Sequence, residues 1–239
     1  MAPSAPPRDV ARSALVEAAA RLLRDAGGDA VTTRAVAEAA GVQAPTLYRL
    51  FGDKDGLLEA VVEHELAAFV AGKAAQVRAA ADADDDPVAD LRAGWHRQVE
   101  FGLTHPAVFA LLSDPARAGR SAAARSGREV LAARVHRVAL AGRLRVGERH
   151  AAELVHAAGT GAVLALLAVP PAERDGELSA AMLDAVLQQV LVDPAEPATT
   201  AGLLPAVVAL RAGAAELTAL TSAEQQLLAE WLDRVVAGG

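Results

Sequence analysis

Cysteine is absent from the 239 residues, which excludes disulfides and thiolate chemistry and allows, without requiring, a reducing compartment. Aromatic side chains make up 3 % of the chain and charged ones 22 %. Alanine and leucine dominate instead, which favours helices packed through small and aliphatic side chains over a β-rich sandwich. Long apolar runs are lacking too. The stretch from Met1 to Arg8 has nothing that reads as a signal peptide, and the most apolar stretch, Gly161 to Val169, is too short to cross a bilayer. The expectation is an all-α, cytoplasmic protein with no membrane partner. Also missing are a Gly-x-Ser-x-Gly elbow, a Walker loop and a paired-carboxylate pattern. Nothing nominates a nucleophile, so neither enzymatic activity nor a cofactor is expected. Gly159-Thr160-Gly161 has no strand before it and no third glycine, and reads as close helix packing.

An excess of basic charge is missing as well: the net charge is −7. The imbalance is uneven. Residues 1–56 hold seven Lys/Arg and seven Asp/Glu, whereas residues 57–239 hold 16 and 23. The first segment is therefore neutral, which permits a polyanionic partner without arguing for one.

What the sequence does have is helical periodicity with clear punctuation. Leu15, Ala18, Ala19, Leu22 and Leu23 share one face of a helix over Val10 to Arg24, stopped by Gly27-Gly28. Thr32 and Thr33 offer N-cap hydroxyls to a short helix that reaches Ala40, and Gly41 suits a positive φ at its end. Pro45 fits the first turn of the next helix, whose inner face is Leu47, Leu50 and Phe51 up to Gly52. Asp53 caps a longer fourth helix through Leu57, Leu58, Val61, Val62, Leu66 and Phe69. The acidic run Asp82 to Asp86, followed by Pro87, resembles a calcium loop but lacks its glycine and bidentate Glu, and reads as a solvated turn. Helices are expected over 88–102, 105–113, 118–141, 148–168 and 177–191, forming one bundle. A Pro-containing linker from Val192 to Thr200 precedes two further helices, Leu203 to Ala219 and Ser222 to Val236. The last opens with a capping box made by Ser222 with Gln225 or by Thr221 with Glu224.

Two short helices joined by a tight Gly-centred turn, with a supporting helix before them, are the parts of a helix-turn-helix, whose second short helix enters the DNA major groove. The run VTTRAVAEAAGVQAPTLYRLFGDK, from Val31 to Lys54, closely resembles the signature of the tetracycline-repressor family, with its Gly-Val, Thr-Leu-Tyr, Phe and Lys elements in order. The resemblance covers about Val10 to Leu66; beyond that only the succession of helices supports it. Physical chemistry gives the residues separate tasks. Thr33, at the N-terminus of the second helix, can donate a hydroxyl to a phosphate, while Tyr48, Lys54 and Arg49 are expected to hold the backbone. The resemblance places Arg34, Gln43, Ala44, Pro45 and Thr46 nearest base edges, where Arg suits guanine, Gln suits adenine, and the Pro and Thr carbons suit a thymine methyl.

The helices at 148–168 and 177–191 resemble in position the two that usually form this family's dimer bundle, and their mixture of Ala, Gly and aliphatic residues suits close packing. His150, Glu153 and His156 could line one helix face as metal ligands do, but surface side chains are the reading adopted, and no metal is expected. The resemblance implies a ligand pocket whose candidate lining is Trp95, Val99, Phe101, Phe109, Leu112, His136 and Thr160, with core packing the competing reading. An apolar or amphiphilic effector follows if that pocket exists. Arg117, Arg120, Arg125, Arg128, Arg134 and Arg137 could hold an anionic headgroup or form a solvated face. The expectation is therefore a DNA-binding domain over 1–56 and a ligand-binding and dimerisation domain over 57–239, with a C-terminal two-helix extension at about 200–236. Such a chain would repress transcription as a homodimer on a pseudo-palindromic operator. An effector-independent or activating regulator, and a helical enzyme or metal-binding bundle, are the alternatives.

Overall fold

The computed structural model describes residues 8–82, 86–192 and 203–238. Twelve α-helices lie among these: α1 (Arg8–Ala26), α2 (Thr33–Ala39), α3 (Ala44–Phe51), α4 (Lys54–Asp82), α5 (Pro87–Thr104), α6 (Pro106–Leu112), α7 (Pro115–Arg120), α8 (Ala122–Leu140), α9 (Glu148–Leu167), α10 (Leu178–Val190), α11 (Leu204–Ala212) and α12 (Ser222–Gly238). The only extended pairing among the described residues is an isolated bridge between Leu144 and Leu191, so the fold is all-α. Residues 83–85 of the expected acidic turn, and residues 193–202 with most of the expected linker, lie outside the described residues.

Two expected elements differ from those observed. The helix expected over 118–141 is divided at Ser121 into α7 and α8. The serine is an N-cap: its Oγ accepts from Ala124 N at 2.9 Å and donates to Glu63 Oε2 at 2.8 Å, while Glu63 Oε1 accepts from Ala123 N at 2.6 Å. A carboxylate and a hydroxyl thus satisfy the free N–H groups of a new helix start, which favours beginning α8 there over continuing α7. The helix expected over Leu203 to Ala219 stops at Ala212, with Gly213 as its C-cap and a single 3-10 turn following. At the start of α12 the capping box is Thr221 with Glu224. Glu224 accepts from the Thr221 backbone N and Oγ1, both at 2.8 Å, and these bonds hold its carboxyl pKa below the usual value.

The chain forms two compact units. The first is Met1–Gly72 with Thr104–Gly127, the second Lys73–Leu103 with Arg128–Gly239. The functional cut expected at 56/57 is a different division from this one. Of the middle helices, α6 and α7 group with the N-terminal helices in the first unit, where α6 packs against α1. In the first unit, α1 buries Leu15, Ala18, Ala19 and Leu23, and Val31, Val36, Leu47, Leu57 and Val61 are also fully buried. Each burial of a Leu- or Val-sized side chain contributes about 1.5–3 kcal/mol, and all but Val31 stand at positions of the apolar period read from the sequence.

In the second unit α9 packs along α10. By length and composition α9 would suffice to cross a membrane, so the expectation that no stretch is long enough is corrected. Its Ala151, Val155, Gly159, Ala162, Val163 and Leu166 are nevertheless buried in the unit, and Arg149 pairs with Glu153 on its surface at 2.9 Å. That burial is the pattern of a bundle helix. Trp95 packs directly on Gly159, where a β-carbon would stand at ordinary contact distance, 3.4 Å from Cζ3.

Candidate nucleic-acid interface

The segment from Thr32 to Lys54 is built by three local devices. Thr32 is the N-cap of α2, its Oγ1 accepting from Ala35 N at 3.1 Å, and this leaves the Thr33 hydroxyl uncommitted to capping. Gly41, at φ 66°, reverses the chain after α2. Its N–H donates to Glu38 O at 3.1 Å and the Val42 N–H to Ala37 O at 3.0 Å, the paired bonds of a Schellman end. Pro45 then occupies the first turn of α3, where its missing N–H costs nothing.

These turns fix which side of α3 faces inward. Leu47 is fully buried and Leu50 and Phe51 are half-buried, whereas Ala44, Pro45, Tyr48 and Arg49 are exposed. Residues four apart on a helix stand one above the other, so the exposed residues form one continuous stripe. Gln43, Arg34 and Lys54 are exposed as well, while Thr33 and Thr46 are half-buried. A phenol with more than half its surface in water is unusual for the single tyrosine of a protein this poor in aromatics. The Tyr48 hydroxyl lies 3.4 Å from Thr33 Oγ1. Two groups expected to position a phosphate, 15 residues apart in sequence, are thus side by side. Behind the stripe, the Arg12 guanidinium lies over the Phe51 ring at 5.2 Å, where cation–π attraction holds α1 to α3.

The junction of α3 with α4 contains a requirement that the sequence does not reveal. Asp53 Oδ1 accepts from Gly56 N at 2.8 Å, the expected cap. A β-carbon on Gly56 would stand 2.1 Å from Phe51 O, inside any real contact distance and against backbone, which cannot rotate away. Gly56→Ala is expected to destabilise the protein by about 1–3 kcal/mol. Chemical denaturation checks this, and a change below about 0.5 kcal/mol would contradict the tight junction.

Residues 15–61 match the sequence profile described as bacterial regulatory proteins, tetR family. Over these residues the chain resembles the DNA-binding part of that family. Over 86 residues, 36 % of this chain and 43 % of the relative, it is 40 % identical to the HTH-type transcriptional regulator BetI of Burkholderia thailandensis. The chain therefore matches less than half the length of this curated relative. Among solved structures, it resembles the TetR family transcriptional repressor FadR of Thermus thermophilus, crystallised in complex with lauroyl-CoA, at 22 % identity and a TM-score of 0.61, covering 78 % of this chain and 99 % of that one. It also resembles RolR, crystallised with resorcinol, at 19 % identity and a TM-score of 0.57, covering 83 % and 94 %. The structural likenesses establish the tetR-type fold.

The expected pocket residues fall into both units. Phe109 and Leu112 belong to the first, and Trp95, Val99, Phe101, His136 and Thr160 to the second. Trp95, Val99, Phe101 and Phe109 are buried, Leu112 and Thr160 half-buried. Trp95 donates its indole N–H to Ser179 Oγ at 2.9 Å, and His136 Nδ1 lies 3.0 Å from Glu148 Oε2. The arginines expected as a group are also separated. Arg120 Nε donates to Glu59 at 2.9 Å in the first unit, whereas Arg134 and Arg137 both bind Asp90 in the second. Of the possible metal donors, Glu153 pairs with Arg149, and no three His, Asp or Glu side chains gather as a ligand set among the described residues.

Proposed function

We propose that the protein is a DNA-binding transcriptional regulator of the bacterial cytoplasm, with no enzymatic activity, that represses as a homodimer on a pseudo-palindromic operator and is released by a small apolar or amphiphilic effector. The observation that carries the reading is the exposed stripe of α3, with Tyr48 beside Thr33 at the N-terminus of α2. Helix N-termini and hydroxyls suit phosphates, and a helix held by a buried Leu47 while Ala44, Pro45, Tyr48 and Arg49 face outward suits the major groove. In this reading Thr33, Tyr48, Arg49 and Lys54 hold the backbone, and Arg34, Gln43, Ala44, Pro45 and Thr46 meet the bases.

Assembly follows from α9 and α10. Leu164 of α9 is 42 % exposed, and Ala157, Ala165, Ala181 and Ala185 on the same two helices are exposed too. A small-residue surface with an aliphatic knob suits a second copy of the same two helices. Light scattering is expected to find a dimer at micromolar concentration without DNA; a monomer would contradict the assembly. The effector reading is supported by the fold shared with FadR and RolR and by the ligands named for those two proteins. Glu63 of α4 caps α8, so an effector that displaced α8 would be felt at α4. Selection of binding sites from random duplexes with the purified protein tests the function as a whole. Enrichment of a two-fold symmetric site is expected, and no enrichment would overturn the reading.

A further inference from the structure

The second unit buries an ion pair, Asp90 with Arg134, and gathers two partly exposed guanidiniums, Arg97 and Arg137, around it. Asp90, Gly94 and Arg97 recur four and three residues apart on α5, and so share a face. Arg134 and Arg137 of α8 meet that face. Arg134 Nε donates to both oxygens of Asp90 at 3.3 Å, and Arg137 Nη1 donates to Oδ2 at 3.2 Å. The guanidinium of Arg134 rests on the bare α-carbon of Gly94, where a β-carbon would stand 2.7 Å from Nη1. Asp90 thus contacts the guanidiniums of both Arg134 and Arg137, and Arg97 brings a further positive charge close enough to disfavour the charge on Arg134.

The donors are not all used. The Arg134 side chain is 3 % exposed, and its Nη2, like Arg97 Nε, is shut off from water with no hydrogen-bond acceptor among the described residues. Buried polar groups are nearly always hydrogen-bonded, and a buried cation needs an opposite charge. Burial lowers the Arg134 pKa against the pull of Asp90, and Arg97 and Arg137 lower it further. An anion at the two idle donors would relieve both the unmet hydrogen bonds and the mutual repulsion of the guanidiniums.

We propose that Arg134 and Arg97 form an anion site in the second unit that takes the oxyanion end, carboxylate or phosphate, of a small molecule, with Asp90 and Gly94 setting the Arg134 guanidinium in position. The proposal deepens the effector reading by naming a charged end for the ligand, and rests on that reading only for the consequence at the operator. Binding itself is tested on the full chain without DNA. Calorimetric and thermal-shift titrations use acetate, inorganic phosphate and decanoate, with 1-decanol as the uncharged counterpart, at constant ionic strength. At least one of the three anions is expected to bind saturably and raise the melting temperature, and decanoate to exceed 1-decanol if the anion is a carboxylate. A response to phosphate alone assigns the site to phosphate esters.

Arg97→Met is expected to weaken that binding by about tenfold or more, as the loss of a charge-assisted bond implies, without lowering the melting temperature of the unliganded protein. Arg134→Lys, which keeps the charge and loses the fork, is expected to weaken it similarly. As a readout on the unaltered protein, the Nε–H resonances of Arg97 and Arg134 should shift on saturation. No saturable response to any of the three anions, equal binding of decanoate and 1-decanol without a response to phosphate, or affinity untouched by Arg97→Met would overturn the site. Sequence-selective DNA binding measured on the same preparation separates the two ideas: if it persists without anion binding, the regulator reading stands and this site falls.

Discussion

Asp90→Ala is expected to destabilise the protein by about 3–5 kcal/mol, the penalty of leaving a buried charge without its partner. The side chain of Asp90 is 7 % exposed and that of Arg134 3 %, so solvent cannot replace the missing carboxylate. At this chain length the change corresponds to roughly 6–20 °C in melting temperature. The cost arises from the stranded guanidiniums and not from the worth of the pair itself. Replacing the pair by apolar groups is therefore expected to behave differently: Asp90→Leu with Arg134→Met should recover most of what Asp90→Ala loses, since well-packed hydrophobic substitutes for buried ion pairs are often neutral. Thermal and chemical denaturation of the single and double variants check this. If Asp90→Ala lay within about 0.5 kcal/mol of the parent, the buried network would not be a structural necessity.

A second large effect is expected at the operator, from the contrast between residues that hold phosphates and residues that read bases. Arg34 and Gln43 are exposed at the starts of α2 and α3, the ends expected to enter the groove. Arg34→Ala or Gln43→Ala should cost about 1–3 kcal/mol for each half-site, hence about 2–6 kcal/mol for a dimer, with little change on random DNA. Lys54 is exposed in the first turn of α4 and is proposed to meet the DNA backbone, whose geometry is nearly the same in every sequence. Lys54→Ala should therefore weaken operator and random duplex alike, and reduce the salt slope by about 0.9 for each phosphate no longer neutralised.

The sequence is most readable where a single residue imposes a local geometry. Thr32, Gly41, Pro45 and Asp53 each carry one physical instruction, and the structure follows all four. Thr221 and Ser222 are equally good caps by residue type; only the reach of the Glu224 carboxylate to Thr221 separates them. Less readable are features whose cause lies far along the chain. Ser121 begins a new helix because it meets Glu63, 58 residues away, and the run around it has ordinary helical periodicity. Asp90 and Arg134 are 44 residues apart, so a charge network buried in the second unit looks, in one dimension, like two solvated helix faces. Gly56 carries no turn signal, since its requirement comes from the Phe51 carbonyl beside it. The hints of the buried network are the arginine-rich run that contains Arg134 and Arg137, and Gly94, a glycine inside a helix on the same periodic face as Asp90.

The measurement that tests the central claim most directly is a titration of the parent, Lys54→Ala, Arg34→Ala and Gln43→Ala on the selected operator and on a scrambled duplex at two salt concentrations. With α3 in the major groove, Lys54→Ala lowers both affinities and the salt slope while the ratio between the two duplexes is kept, and Arg34→Ala and Gln43→Ala collapse that ratio while random binding is kept. The opposite pattern, with sequence preference changed by Lys54→Ala and left intact by Arg34→Ala and Gln43→Ala, would contradict the placement of α3 in the groove.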